Sequence, residues 1–210
     1  MGMRLGLAVL GGMLVAGSAQ ARDPRPGTFL LAEVDAGFGL GDAFAEGPTG
    51  LATGLTFGAG GKPKGWPLRF FGIMRLSWAS LDAEVETRLE RSTIEREVFG
   101  YCFGLRIIAP IEDRLRFLSD VMVGGTQITS QATLGDGAER IASDDGSFMI
   151  ELAFGLQYRL HYNFSIGARM DVAIPTGLDA FDALAETAGV SSNEAGAANL
   201  DWALTATLHF

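Results

Sequence analysis

Residues 148–160 read FMIELAFGLQYRL, and the alternation in this stretch decides the fold. Phe148, Ile150, Leu152, Phe154, Leu156, Tyr158 and Leu160 carry no charge, while Met149, Glu151, Ala153, Gly155, Gln157 and Arg159 stand between them. Successive side chains of a β-strand point to opposite faces, so a period of two collects the first set on one face and the charges on the other.

The same pattern recurs in seven other segments. Uncharged residues fill the even positions of 30–40, 68–78, 164–174 and 200–210 and the odd positions of 51–59, 99–107 and 115–123, which with 148–160 gives 46 positions. The opposite faces carry Glu33, Asp35, Arg69, Arg75, Arg106, Arg116, Asp120, Glu151, Arg159, Arg169, Asp171 and Asp201: six acids, six arginines and no lysine. A soluble sandwich would place its apolar faces inside. Three features oppose that reading: apolar faces of up to 13 residues, against the usual five or six; a charge-neutral polar face; and glycines on that face, such as Gly54, Gly100 and Gly155, as expected where side chains crowd a narrow tube. The apolar face is therefore expected to face lipid and the charged face a lumen.

The gaps between segments are 10, 8, 20, 7, 24, 3 and 25 residues, alternating long and short. That is the pattern of a transmembrane barrel with short periplasmic turns and long outer loops. The four long gaps carry a net −12 in a chain of net −9, so acidity concentrates on the expected outer loops. The sequence thus predicts an all-β, eight-stranded antiparallel up-and-down transmembrane β-barrel with both termini periplasmic.

Composition narrows the class further. The acidic balance disfavours nucleic acid as a partner, and the lone Cys102 excludes a disulfide framework or a multi-thiolate metal site. No cofactor or metal is expected. Residues 1–21 have the basic start, 13-residue apolar run and small-residue cleavage site of a secretory signal, too short for the roughly 30 Å hydrocarbon core. Cleavage there leaves 22–210 as an outer-membrane barrel domain that passes through the secretion translocon.

On these segments the chain resembles small outer-membrane β-barrels of the OmpA/OmpX type. The resemblance implies that the last strand, with Trp202, Leu204, Leu208 and the aromatic Phe210, is read by the barrel-assembly machinery. It implies a fold and a bacterial outer-membrane location, and no activity.

Where charges begin on the outward face, the membrane must end. This places Trp78, Phe99, Phe148 and Trp202 in an outer aromatic girdle and Phe70, Phe117, Tyr158, Phe164 and Phe210 in an inner one. Beyond Trp78 and Phe99 the alternation of 84–90 predicts a hairpin continuing above the membrane, whereas 124–147, rich in Gly, Ala and Ser, reads as a loop. Residues 179–189 carry Phe181, Leu184, Ala185 and Ala188 at helical spacing, predicting a short helix.

The lumen reads as a plug of salt bridges, with a gated ion path or a narrow conduit for small or hydrophobic solutes as the alternative. An enzyme is not expected: His161 and His209 both fall at the inner end, leaving no outer-rim base for hydrolysis, and only acids such as Asp136, Glu139, Asp144 and Asp145 stand in the third outer gap. The expected role is in membrane structure or surface interaction, with outer-membrane lipid, lipopolysaccharide (bridged by divalent ions) and an extracellular protein as candidate partners.

Overall fold

A computed structural model describes residues 28–40, 49–86, 91–134, 139–176 and 199–210. The expected signal (1–21) and the expected helix (179–189) lie outside these residues.

Eight strands follow one another: β1 (Thr28–Leu40), β2 (Thr49–Gly61), β3 (Arg69–Glu86), β4 (Arg91–Pro110), β5 (Leu115–Leu134), β6 (Glu139–His161), β7 (Phe164–Thr176) and β8 (Asn199–His209). Each pairs antiparallel with its neighbours in sequence, and β1 closes on β8 from Leu31↔His209 to Leu40↔Leu200. The result is a closed, all-antiparallel eight-stranded barrel. Closure leaves no unpaired sheet edge where the ring is complete, so backbone polar groups are satisfied between strands. Near the start of β1 the ring is tied by Phe210, whose N–H donates to the Leu30 carbonyl at 2.9 Å while the Leu30 N–H donates to the Phe210 carbonyl at 3.2 Å.

Alternation becomes an inversion of the usual protein interior. In β6, Phe154, Leu156 and Tyr158 are exposed, while Glu151 and Gln157 on the other face are 3% and 0% exposed. The inside also holds two apolar clusters, one of eight residues that includes Leu31, Phe71, Leu118 and Met122, and one of Ala52, Ala79, Leu81, Val98 and Ile128.

The structure bears out the hairpin expected beyond Trp78 and Phe99, within 79–98, and departs from the sequence reading at 124–147. Neither stretch is mainly loop. β3 and β4 pair as far as Glu86↔Arg91, and β5 and β6 as far as Leu134↔Glu139, so each connection shrinks to four residues. β4 and β5 also pair out to Ser92↔Leu134. Strands β3–β6, of 18 to 23 residues, rise as one four-stranded sheet past the ends of β1, β2, β7 and β8, of 11 to 13 residues. The strands that flank the hairpin expected at 84–90 belong to this sheet as far as Glu86 and Arg91; the loop expected at 124–147 is largely strand, because backbone pairing continues where the outward face has lost its apolar character.

Interior crowding gives a direct test. A Cβ on Gly54 would lie 2.6–2.7 Å from the Arg75 guanidinium and an Asp35 oxygen, whereas one on the outward-facing Gly72 would meet only the Ala59 carbonyl, at 3.8 Å. Gly54→Ala should cost about 1–3 kcal/mol by overpacking. Gly72→Ala should be nearly neutral. Reversible urea unfolding of both variants checks the contrast.

Candidate functional site

The barrel wall aims eight charged side chains at one another across the lumen. Arg106 and Asp120 are direct ladder partners on β4 and β5, which brings the guanidinium to the carboxylate edge-on. Arg106 Nε donates to Asp120 Oδ1 at 2.8 Å and Nη2 to Oδ2 at 2.7 Å. Its other edge crosses to β1, where Nη1 donates to Glu33 Oε2 at 2.9 Å and Nη2 to Oε1 at 2.8 Å. Arg106 is thus held in a two-sided bidentate clamp, the strongest geometry open to a guanidinium.

Glu33 is the hub. Besides Arg106 it accepts from Arg169 Nη1 at 3.2 Å, Gln157 Nε2 at 2.9 Å and Thr207 Oγ1 at 2.7 Å. Arg169 also donates from Nε to Asp171, from Nη2 to Glu151 Oε1 at 3.2 Å, and lies 3.4 Å from Asp120 Oδ2. Arg75 closes the far side. It binds both oxygens of Asp35, the Nη2 bond being 3.1 Å, lies 3.4 Å from Asp171 Oδ2 and from Thr56 Oγ1, and makes an ion-pair contact from Nε to Glu151 Oε1 at 3.0 Å. With Thr56 from β2 and Thr207 from β8, every strand contributes to the set.

Three guanidiniums therefore face five carboxylates: Glu33, Asp35, Asp120, Glu151 and Asp171. A buried ion is costly unless matched by partners and hydrogen bonds, and here each carboxylate meets at least one arginine. The acid surplus borders a cavity of about 30 Å³ lined by Arg75, Ser77, Met149, Glu151 and the half-buried Asp201, polar enough and large enough for ordered water.

The remaining singled-out residues lie elsewhere. Arg69, Arg116 and Arg159 sit toward the rim that holds Thr28 and Phe210. Arg69 lies over the Phe29 ring, 5.7 Å from its centroid, Arg116 is buried opposite Gln157 in the ladder, and Arg159 Nη2 donates to the Asp113 carbonyl at 2.9 Å. At the same rim His161 hydrogen-bonds Asn163, and His209 is 3.3 Å from Ser165 Oγ. Cys102 is buried in the apolar cluster with Met149. Trp78 and Phe99 are ladder partners and, with Phe148, exposed on the outer wall; Phe117, stacked on Phe154 with centroids 6.4 Å apart, and Tyr158 are exposed toward the opposite rim, with Phe70 and Phe164 half-buried there. Trp202 and Leu204 are exposed along β8 and Phe210 just beyond its end, with Leu208 half-buried. The sequence reading passed over Gln157, Thr56 and Thr207, which share the inward parity of the charges but carry no charge to mark them.

The architecture is a closed, all-antiparallel eight-stranded barrel with its charges inside and its large apolar side chains outside. No protein-family profile and no curated protein matches the chain. Among solved structures it is similar to Ail, the attachment invasion locus protein of Yersinia pestis, at 15% identity over 89% of this chain and 100% of that one, with TM-score 0.48. It is similar also to Neisserial surface protein A (10% identity, 88% and 99% covered, TM-score 0.46) and to the outer membrane enzyme PagL (12%, 85% and 98%, TM-score 0.43).

Removing one partner of the clamp strands the others. Arg106→Met should destabilise by about 3–5 kcal/mol, and adding Glu33→Gln and Asp120→Asn to it should recover a substantial part. Unfolding midpoints of the single and triple variants measure this.

Proposed function

We propose that this chain is an integral protein of the bacterial outer membrane, exported by a signal at 1–21, whose lumen is shut by the Glu33–Arg106–Asp120 network and whose work is done at its surfaces. One observation carries the reading: large apolar side chains such as Phe57, Phe103, Val121 and Leu156 are 45–55% exposed around the wall, while Arg106, Asp120, Glu33 and Arg169 are 0–2% exposed inside it. An apolar belt of this extent is stable only when something apolar covers it. Hydrocarbon does so on every side of a closed barrel, and Trp78, Phe99 and Phe148 then mark one interface with Phe117, Tyr158 and Phe164 marking the other.

Eight strands enclose a space that side chains can fill, and here they fill it with ion pairs and two apolar clusters. This supports a plug rather than a conduit. The outer-facing end would be the rim where β3–β6 extend, which gives a projecting four-stranded sheet for contact with lipopolysaccharide or an extracellular partner and leaves the rim with Thr28 and Phe210 periplasmic. The reading assigns no catalytic residue. During biogenesis β8, with Trp202, Leu204, Leu208 and Phe210, would meet the barrel-assembly machinery.

Refolded protein in a planar bilayer should show no channel events. Steady conductance would replace the plug with the narrow pore. Shortening the extensions within 79–98 and 124–147 should abolish surface binding while the unheated protein still migrates faster than the heated one on a denaturing gel.

A further inference from the structure

The outer wall is not uniform. Between β1 and β4 it carries a groove of about 630 Å³, within the roughly 300–1,000 Å³ range of clefts that hold small ligands. Its floor is made where Ala59 and Gly72 face each other across the β2–β3 ladder, and Leu30, Phe57, Met74 and Phe103 form its walls. The groove runs toward the rim that holds Phe210, which also lines it.

The β2–β3 connection at that rim contains both lysines of the chain, Lys62 and Lys64, each exposed. Lys62 is three residues from Ala59, about 10 Å along an extended strand. The connection is an ordered turn: the Trp66 N–H donates to the Pro63 carbonyl at 3.2 Å, and Gly65 sits at φ 84°, a conformation glycine alone adopts readily. Lys64 is thereby presented at its corner. Trp66, 55% exposed, packs edge-on against Phe70 with centroids 5.8 Å apart, the placement of an interfacial anchor. The other two connections at this rim lack such charge: 111–114 has Glu112, Asp113 and Arg114, and 162–163 has Tyr162 and Asn163. Among these three connections a net positive charge is thus found only on the turn that borders the groove.

We infer that the β1–β4 groove and the Lys62–Lys64 turn form a binding site for one anionic glycerophospholipid, its acyl chain in the groove and its phosphate at the two lysines. This rests on the membrane reading above. The lipid would belong to the leaflet opposite the β3–β6 extension, where phospholipid rather than the sheet's own surface partners would meet the turn.

The test titrates refolded full-length protein in detergent with phosphatidylglycerol or phosphatidylcholine of identical acyl chains, read by native mass spectrometry. Wild type should hold one phosphatidylglycerol more tightly than phosphatidylcholine. Replacing both lysines (Lys62→Ala, Lys64→Ala) should weaken phosphatidylglycerol about 30-fold, a factor of roughly five for each lysine at an anionic surface, and leave phosphatidylcholine unchanged. Gly72→Leu, which fills the groove from a position open to space, should weaken both. Equal retention of the two lipids by wild type, or no loss in either variant, overturns the site. So does a concentration-dependent dimer blocked by Gly72→Leu, which would assign the groove to a second copy. Insertion into vesicles and the heat-dependent gel shift, followed in parallel, separate failure of the site from failure of the membrane reading.

Discussion

The ion network at the centre of this barrel turns on Arg106 being met on both edges. Its two bidentate partners come from an adjacent strand and from the opposite wall: Asp120 is the ladder neighbour on β5, and Glu33 projects from β1. A guanidinium at 0% exposure is tolerable only when its donors are spoken for. Because Glu33 also accepts from Arg169, Gln157 and Thr207, the clamp ties β1, β4, β5, β6, β7 and β8 together. The backbone ladder holds neighbours to neighbours, and the side chains hold the wall to its far side. Small residues make this possible, since Gly54 leaves the space that Arg75 and Asp35 occupy.

The fold was legible because one signal is repeated eight times at a fixed period. Alternation depends only on local geometry, so Phe148 to Leu160 can be read without knowing what lies across the sheet. Strand ends were less legible. Outward charges such as Asp82 and Glu97 mark where an apolar surround must stop, but their backbones go on pairing, Asp82 with Glu95 and Glu97 with Thr129. In 124–147 the small and polar residues lack the contrast between faces that identifies a strand, and the pairing with a neighbour that fixes it is a tertiary fact.

The site was legible as a set of residues and not as a set of pairs. Parity assigns Glu33, Arg106 and Asp120 to one face, yet Glu33 lies 73 residues from Arg106 and 136 from Arg169. Their meeting follows from closure, register and strand tilt, which no local window contains. Parity also treats Arg159 and Arg169 alike, although one reaches a turn carbonyl and the other the centre of the network. Gln157 and Thr207 complete the coordination of Glu33 and carry no charge to draw the eye. The two lysines illustrate the opposite case: their confinement to one turn is plain in the sequence, but its meaning depends on the groove beside Ala59 and Gly72, which only the folded wall reveals.

The central claim is that the apolar outer wall is in hydrocarbon while the charges face inward. Spin labels on cysteines placed one at a time at the outward positions 103, 121 and 156, with Cys102 replaced by alanine, test it in refolded, vesicle-reconstituted protein. The account predicts frequent collisions with oxygen, which concentrates in the bilayer, and few with a polar nickel chelate at all three positions. Collisions dominated by the nickel chelate would place the wall in water and contradict it.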